Sequence, residues 1–295
     1  MKKLIINADD LGFSPAVNSA ILRGVILGNI TAASLMVNMP FAEDAVAGVQ
    51  NYCNDLSLAL HFTLTSGKPV SEPSAIPLLV DSSGMFRWSF FGLMRMLRSK
   101  DSEQFIRQIQ IEFSAQMQRM DNFVTKNRLR FNHLDSHQHI HVMPPIFNLL
   151  QEESEKRKLL LRIPRENFGS LKRVIKRCYA WAPQGLIKRA ILNYHLKYAK
   201  QKTGYFGILE SGKIDDYSLQ EIIRIIEKDE NFDQYEINIH PSDFSVAPND
   251  DLLCCSQGDY KFHHSQLRNK EFQTVQKPNL KNIIKKYNIK LTGIE

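Results

Sequence analysis

Short apolar, β-branched runs alternate along the chain with longer segments in which apolar residues recur every three or four positions. The short runs are Leu4–Ala8, Ser34–Val37, Ser57–Phe62, Phe131–Asp135, Leu159–Ile163, Tyr235–Ile239 and Ile289–Leu291, and their length and composition predict strands. Helices are predicted between them. One begins at Ser14 as N-cap with Pro15 in the first helical position, where proline gives up only an N–H that already lacks a partner. The longest covers Asp101 to Lys126, where Phe105, Ile109, Phe113, Met117, Met120 and Val124 form one core-facing stripe. Strand and helix in alternation imply parallel strands joined by helical crossovers, hence an α/β doubly wound sheet or a (β/α) barrel. With no internal repeat and no low-complexity linker, residues 1–295 read as one domain with insertions at about 64–100 and 164–203.

The composition narrows the class without naming a function. At 295 residues, with 43% hydrophobic and 23% charged residues, the chain is expected to fold as a globular protein. The most apolar window, Ala16–Val37, is interrupted by Asn18, Arg23 and Asn29, so no membrane-spanning helix is expected. The run Leu4-Ile5-Ile6 behind Met1-Lys2-Lys3 is too short for an export signal. Cys53, Cys178, Cys254 and Cys255 show no C-x-x-C spacing, which fits a reduced, cytoplasmic setting.

The net charge of +7 is unevenly spread. Between Lys156 and Lys202 fourteen Lys and Arg face one acid, Glu166, so the rest of the chain is net negative. Leu171, Val174, Ile175, Tyr179, Leu186, Ile187, Ala190, Ile191 and Tyr194 recur there at helical intervals, as in two basic amphipathic helices broken at Pro183. The block suits a solvated helical face. With Tyr179, Trp181 and Tyr198 beside the charge, it also suits peripheral contact with anionic lipid or glycolipid head groups. No motif points to nucleic acid.

The chemistry-bearing residues fall at the C-terminal ends of the predicted strands, the edge where loops build active sites in parallel α/β folds. Asp9 and Asp10 follow the first strand, His61 closes the third, Asp135 and His137 end the fourth, and His240 ends a later one. In extended backbone Asp9 and Asp10 point to opposite sides, so one can bind a cation while the other stays free as a base. The competing reading is a helix-capping Asp beside a solvated one. His133 to His141 concentrates four of nine histidines in nine positions. As a strand it lets neighbours such as Asp135 and His137 share a site. As a helix it would give His133 and His137 zincin spacing, which Phe131 and Met143-Pro144-Pro145 argue against.

One Asp and two His form a facial ligand set that leaves coordination positions open for water and substrate. A second carboxylate could then deprotonate the water, and His240 could protonate the leaving group. His195, His263 and His264 have no such setting and read as surface or packing residues. Phe86, Trp88 and Phe90 in the first insertion suit stacking on sugar faces or contact between copies in a homo-oligomer.

The ordered segments Asn7-Ala8-Asp9-Asp10-Leu11-Gly12, Leu60-His61-Phe62, His133-Leu134-Asp135-Ser136-His137-Gln138-His139, Leu161-Arg162-Ile163-Pro164-Arg165-Glu166 and Ile239-His240-Pro241 resemble the motifs of the YdjC-like carbohydrate deacetylases. That family includes chitooligosaccharide deacetylases and hopanoid-biosynthesis-associated deacetylase-like proteins. The resemblance runs from Lys3 to about Glu271. It implies a distorted (β/α) barrel of the glycoside hydrolase/deacetylase type and metal-dependent removal of acetyl groups from N-acetylated amino sugars, their oligomers or glycolipids. By position it implies Asp9 as general base, His240 as general acid, and Asp10, His61 and His137 as metal ligands. Arg162 would be a substrate-binding residue near the site. The family implies Mg2+, whereas two imidazoles and a carboxylate suit Zn2+ or another transition metal. Two features depart from the pattern: Ser242 stands where glycine is common, and residues 31–37 and 73–88 look closer to the hopanoid-associated branch.

Two other classes compete. His133-Leu134-Asp135 is an H-x-D pair that a distant His could complete as a non-haem iron oxygenase site. The all-β hosts of that motif differ from the alternation seen here. A non-enzymatic glycolipid or membrane-surface binding protein would use the basic block and keep a metal for structure.

Overall fold

The computed structural model describes residues 1–53, 55–166, 191, 203–208, 210–246 and 262–294. Most of the basic block, including Tyr179, Trp181, Pro183, His195 and Tyr198, lies outside them, as do Cys178, Cys254 and Cys255.

Eight strands are described: β1 (Lys2–Leu11), β2 (Ala32–Leu35), β3 (Ser57–Phe62), β4 (Arg130–Ser136), β5 (Leu160–Leu161), β6 (Gly204–Phe206), β7 (Gln234–Ile239) and β8 (Ile289–Leu291). All their pairings are parallel, in the order β5-β4-β3-β2-β1-β7-β6, and β8 flanks the start of β1. The two ends of this order meet at a single bridge, Glu166 to Tyr205. The α/β fold expected from the alternation is thus a curled parallel sheet, a barrel distorted at the β5–β6 seam. β6 has no counterpart among the predicted strands. Its three residues Gly204-Tyr205-Phe206 directly follow the basic block and open on a glycine, so no β-branched apolar run marks them.

The sheet has two unlike faces because side chains alternate along each strand. Leu4, Ile6 and Ala8 of β1 join Leu58 and Leu60, Leu134, and Ile237 and Ile239 in the main core under the helices. On the inner face Ile5 packs with Ala32, Ile294 and Leu160. Further toward the C-terminal edge the inner positions turn polar: Asn7 and Asp9 on β1, Ser34 on β2, His61 on β3, Asp135 on β4, Glu236 and Asn238 on β7. All are buried. The barrel therefore encloses a polar interior on an apolar plug.

The described helices are α1 (Pro15–Ile26), α2 (Ala42–Tyr52), α3 (Phe90–Met96), α4 (Ser102–Asn127), α5 (Pro144–Arg157), α6 (Asp216–Lys228), α7 (Gln266–Val275) and α8 (Leu280–Lys285). The Ser14 hydroxyl accepts from the Val17 N–H at 3.2 Å, the predicted cap of α1. Ser14→Ala is expected to cost about 1 kcal/mol of stability, measured by chemical denaturation.

The α4 stripe buries Phe105, Ile109, Phe113, Met117 and Met120 as the periodicity predicts. The same helix also buries Gln108, Glu112 and Gln116, which anchor the first insertion. Gln108 accepts from Leu78 N–H, Glu112 from the Val70 and Ser71 N–H groups, and Gln116 exchanges two bonds with Thr63. Phe86 and Phe90 are buried in this insertion, and Trp88 donates its indole N–H to Leu78 O and packs on Phe105. Phe86 and Phe90 are thus packing residues, whereas Trp88 is half-buried between the insertion and α4.

Candidate metal centre

β1 bulges where it reaches the site: its register to β2 gains one residue between Ala8 and Leu11, and Asp10 adopts φ 70°. A left-handed aspartate costs of order 1 kcal/mol, and the kink changes the geometry expected of an extended pair. Asp9 and Asp10 do not face opposite sides; both reach His61, with Nε2 at 3.8 Å from Asp9 Oδ2 and 3.5 Å from Asp10 Oδ1. His61 and Asp135 are register partners on β3 and β4, and His61 Nδ1 meets Asp135 Oδ1 at 2.7 Å. That contact directs Nε2 at the two aspartates.

β4 ends at Ser136, so His133 and His137 share no helix and the zincin arrangement is absent. A short 3₁₀ turn over His137–Val142 follows, with Gln138 and His139 in left-handed backbone. This turn disperses the histidine cluster. His137 Nδ1 lies 3.1 Å from Asp10 Oδ1. His141 is tied to Ser136 Oγ and Arg162 O, His139 lies against the Tyr205 hydroxyl, and His133 meets Asn7. Burial pushes His133 down to about 3 and His141 to about 4, so both are neutral.

Asp10, His61 and His137 are all buried, and their candidate ligand atoms lie within 4.8 Å of one another. Asp9, His61 and Asp135 satisfy the same spacing, but Asp135 already occupies the outer nitrogen of His61. The donor chemistry fits a cation. Burial opposes protonation of His61, yet the charges of Asp9 and Asp135 push it up to about 10. Burial would raise Asp10, but bonds from His137 and His61 and the charge of Arg268 hold it well below the usual carboxylate range. The pocket therefore favours positive charge where the two imidazoles meet Asp10. Each imidazole also has a partner for its outer nitrogen, Asp135 for His61 and Ser66 Oγ at 3.4 Å for His137, the support that metal-binding histidines use.

Asp9 sits beside this set and is tethered. Arg162 Nη1 reaches Asp9 Oδ1 at 3.0 Å and Oδ2 at 3.1 Å, Asn7 donates to Oδ1, and Asn238 donates to Oδ2. Burial would raise the Asp9 carboxyl, but Arg162 and His61 hold it below its ordinary value. His240 Nε2 lies 3.8 Å from Asp9 Oδ2. Burial pushes this imidazole down to about 4, so it is neutral near pH 7. The loop beyond it carries no strain at Ser242, which stays out of the left-handed region.

Arg162 lies inside the barrel, 2% exposed, where it contacts Asp9, Asp135 and Glu236. Its guanidinium is committed to these three buried carboxylates. Glu236 is pushed up to about 7 by burial, with Asp135 and Asp9 adding to the effect and Arg162 opposing it. A carboxyl whose folded pKa exceeds its ordinary 4.5 stabilises fully below that value, and the contribution is lost as pH rises through about 7. Glu236→Gln should therefore lose less stability than the parent between pH 5 and pH 8, read as denaturation midpoints. Parallel losses would contradict this.

Several site residues escaped the sequence reading. Glu236, Asn238 and His240 alternate with Tyr235, Ile237 and Ile239, and polar residues at period two in an otherwise buried strand could have revealed the first two. His263, read as a surface or packing residue, is buried with Nε2 3.9 Å from Asp10 Oδ2. Arg268 and Glu271 lie on α7, where no local pattern separates them from ordinary surface charge.

The structure is a curled parallel α/β sheet with a buried two-histidine, one-carboxylate cluster at its C-terminal edge, the edge where parallel α/β folds build their sites. The chain belongs to the YdjC-like protein family, whose model matches residues 3–286. It is 34% identical over 158 residues to a carbohydrate deacetylase of Geobacillus stearothermophilus, covering 54% of this chain and 58% of that protein. It is 35% identical over 166 residues to a chitooligosaccharide deacetylase of Serratia marcescens, covering 56% and 60%. These matches thus span less than two thirds of either relative. A candidate cellobiose-phosphate cleavage protein of Enterococcus faecalis shares the fold, with TM-score 0.67 and 22% identity over 99% of this chain and 97% of that one. No described helix is long and apolar enough to cross a membrane.

Proposed function

We propose that the protein is a metal-dependent carbohydrate deacetylase that hydrolyses the acetamido group of N-acetylated amino sugars or their oligomers. The observation that carries this reading is the juxtaposition of Asp10, His61 and His137 with Asp9 and His240 in one buried cluster. The named activities of the Geobacillus and Serratia relatives support the substrate class.

Asp10 Oδ1, His61 Nε2 and His137 Nδ1 would hold the cation, and two imidazoles with one carboxylate favour zinc or another transition metal over magnesium. A divalent ion there supplies Lewis acidity to the attacking water and to the acetyl carbonyl. Arg162, Asn7 and Asn238 keep Asp9 ionised and oriented, so Asp9 is the base that accepts the water's proton. Neutral His240 receives a proton across the short path from Asp9 Oδ2 and delivers it to the departing amine nitrogen. Arg162 is a positioning residue in this scheme rather than a substrate contact.

The test is acetate release from N-acetylglucosamine oligomers and from lipid-linked N-acetyl sugars. Release from either series supports the reading and identifies the acceptor. Absence of acetate from both, with metal bound, would redirect the assignment to another bond.

A further inference from the structure

Asp10 has two oxygens with different surroundings. Oδ1 faces the imidazoles, 3.1 Å from His137 Nδ1 and 3.5 Å from His61 Nε2. Oδ2 faces α7, with Arg268 Nη1 at 3.1 Å and His263 Nε2 at 3.9 Å. Arg268 is completely buried, and among the described residues Asp10 is the one carboxylate within ion-pair distance of its guanidinium. Arg268 Nη1 also contacts His263 Nδ1. A guanidinium can only donate, so that nitrogen accepts and the imidazole proton sits on Nε2, turned toward Asp10 Oδ2. The His263 ring is fixed by stacking on Phe13.

A buried arginine beside a cation site is electrostatically unfavourable for the cation, which calls for an explanation beyond packing. We propose that Arg268 is a positioning residue that engages Asp10 Oδ2 and restricts this carboxylate to one-oxygen ligation through Oδ1. The inference rests on the assignment of Asp10, His61 and His137 as metal ligands under the proposed function. One-oxygen ligation keeps a coordination position open for water or the acetyl oxygen. It also makes binding weaker than the three ligands alone would allow. The same helix fixes the far side of the pocket, where Glu271 accepts from the His240 backbone N–H at 2.5 Å.

The experiment loads full-length protein with Co2+ and follows affinity by competition with a chromophoric chelator and coordination by the visible spectrum. Arg268→Met removes the competing charge and frees Oδ2. Its Co2+ affinity should rise roughly tenfold or more, with weaker visible bands as the coordination number increases. Arg268→Lys retains a charge for Oδ2 and should restore the parent spectrum. X-ray absorption on the unsubstituted zinc protein needs no variant and should show a carboxylate bound through one oxygen. Unchanged or weaker Co2+ binding by Arg268→Met with the parent spectrum would overturn the proposal, as would two-oxygen ligation in the unsubstituted protein. These readouts do not depend on turnover. Failure to release acetate with the predicted metal behaviour intact would count against the deacetylase reading alone.

Discussion

Asp9→Asn protein is expected to keep its metal and lose turnover by about 10²–10⁴-fold, whereas His61→Ala is expected to lose both. The separation follows from where the two side chains sit. His61 offers Nε2 to the pocket with Nδ1 anchored by Asp135 at 2.7 Å, so its removal deletes one of three candidate ligands. Asp9 lies outside that set and is held by Arg162, Asn7 and Asn238. Asparagine preserves its shape but removes the basicity. Metal content by elemental analysis, beside acetate release, distinguishes the roles. Full activity in Asp9→Asn would exclude Asp9 as the base. Tight metal binding by His61→Ala would remove His61 from the ligand set.

Arg162→Met is expected to destabilise the metal-free protein by roughly 3–5 kcal/mol, the cost of leaving buried carboxylates without their counter-charge. Asp9, Asp135 and Glu236 all converge on this guanidinium inside the barrel. Methionine replaces its volume but none of its donors. Restored metal should recover part of the loss, because a cation beside Asp9 supplies some of the missing positive charge. Urea denaturation with and without metal measures both effects. A loss below about 1 kcal/mol would place the carboxylates in a wetter environment than the fully buried contacts indicate.

Much of this arrangement is legible in the sequence because it follows from local periodicity. All seven predicted strands, with β2 lying two residues earlier than its apolar run, and the long α4 stripe reflect apolar patterns that survive folding. The placement of Asp9, His61, Asp135 and His240 at strand ends follows from counting to the end of each apolar run. Features that depend on backbone departures are less accessible. The bulge that turns Asp10 into the same pocket as Asp9, and the left-handed pair Gln138-His139 that sends only His137 toward Asp10, cannot be read from a two-residue period. Interior partners drawn from distant elements are hardest to see. Arg268 meets Asp10 across 258 positions, and neither residue carries a sign of the other.

The polar interior and the pocket belong to one construction. An apolar plug of Ile5, Ala32 and Ile294 lies beneath Arg162 and its carboxylates, and these support Asp9 and His61. A site built this way depends on buried charges that stabilise the fold only as a set.

Metal dependence of the proposed deacetylase is checked by acetate release from chelator-stripped protein titrated with zinc, cobalt, manganese or magnesium. The stripped protein is expected to release none and to recover in proportion to metal bound, saturating at one ion per chain. Full acetate release with no metal bound would contradict it.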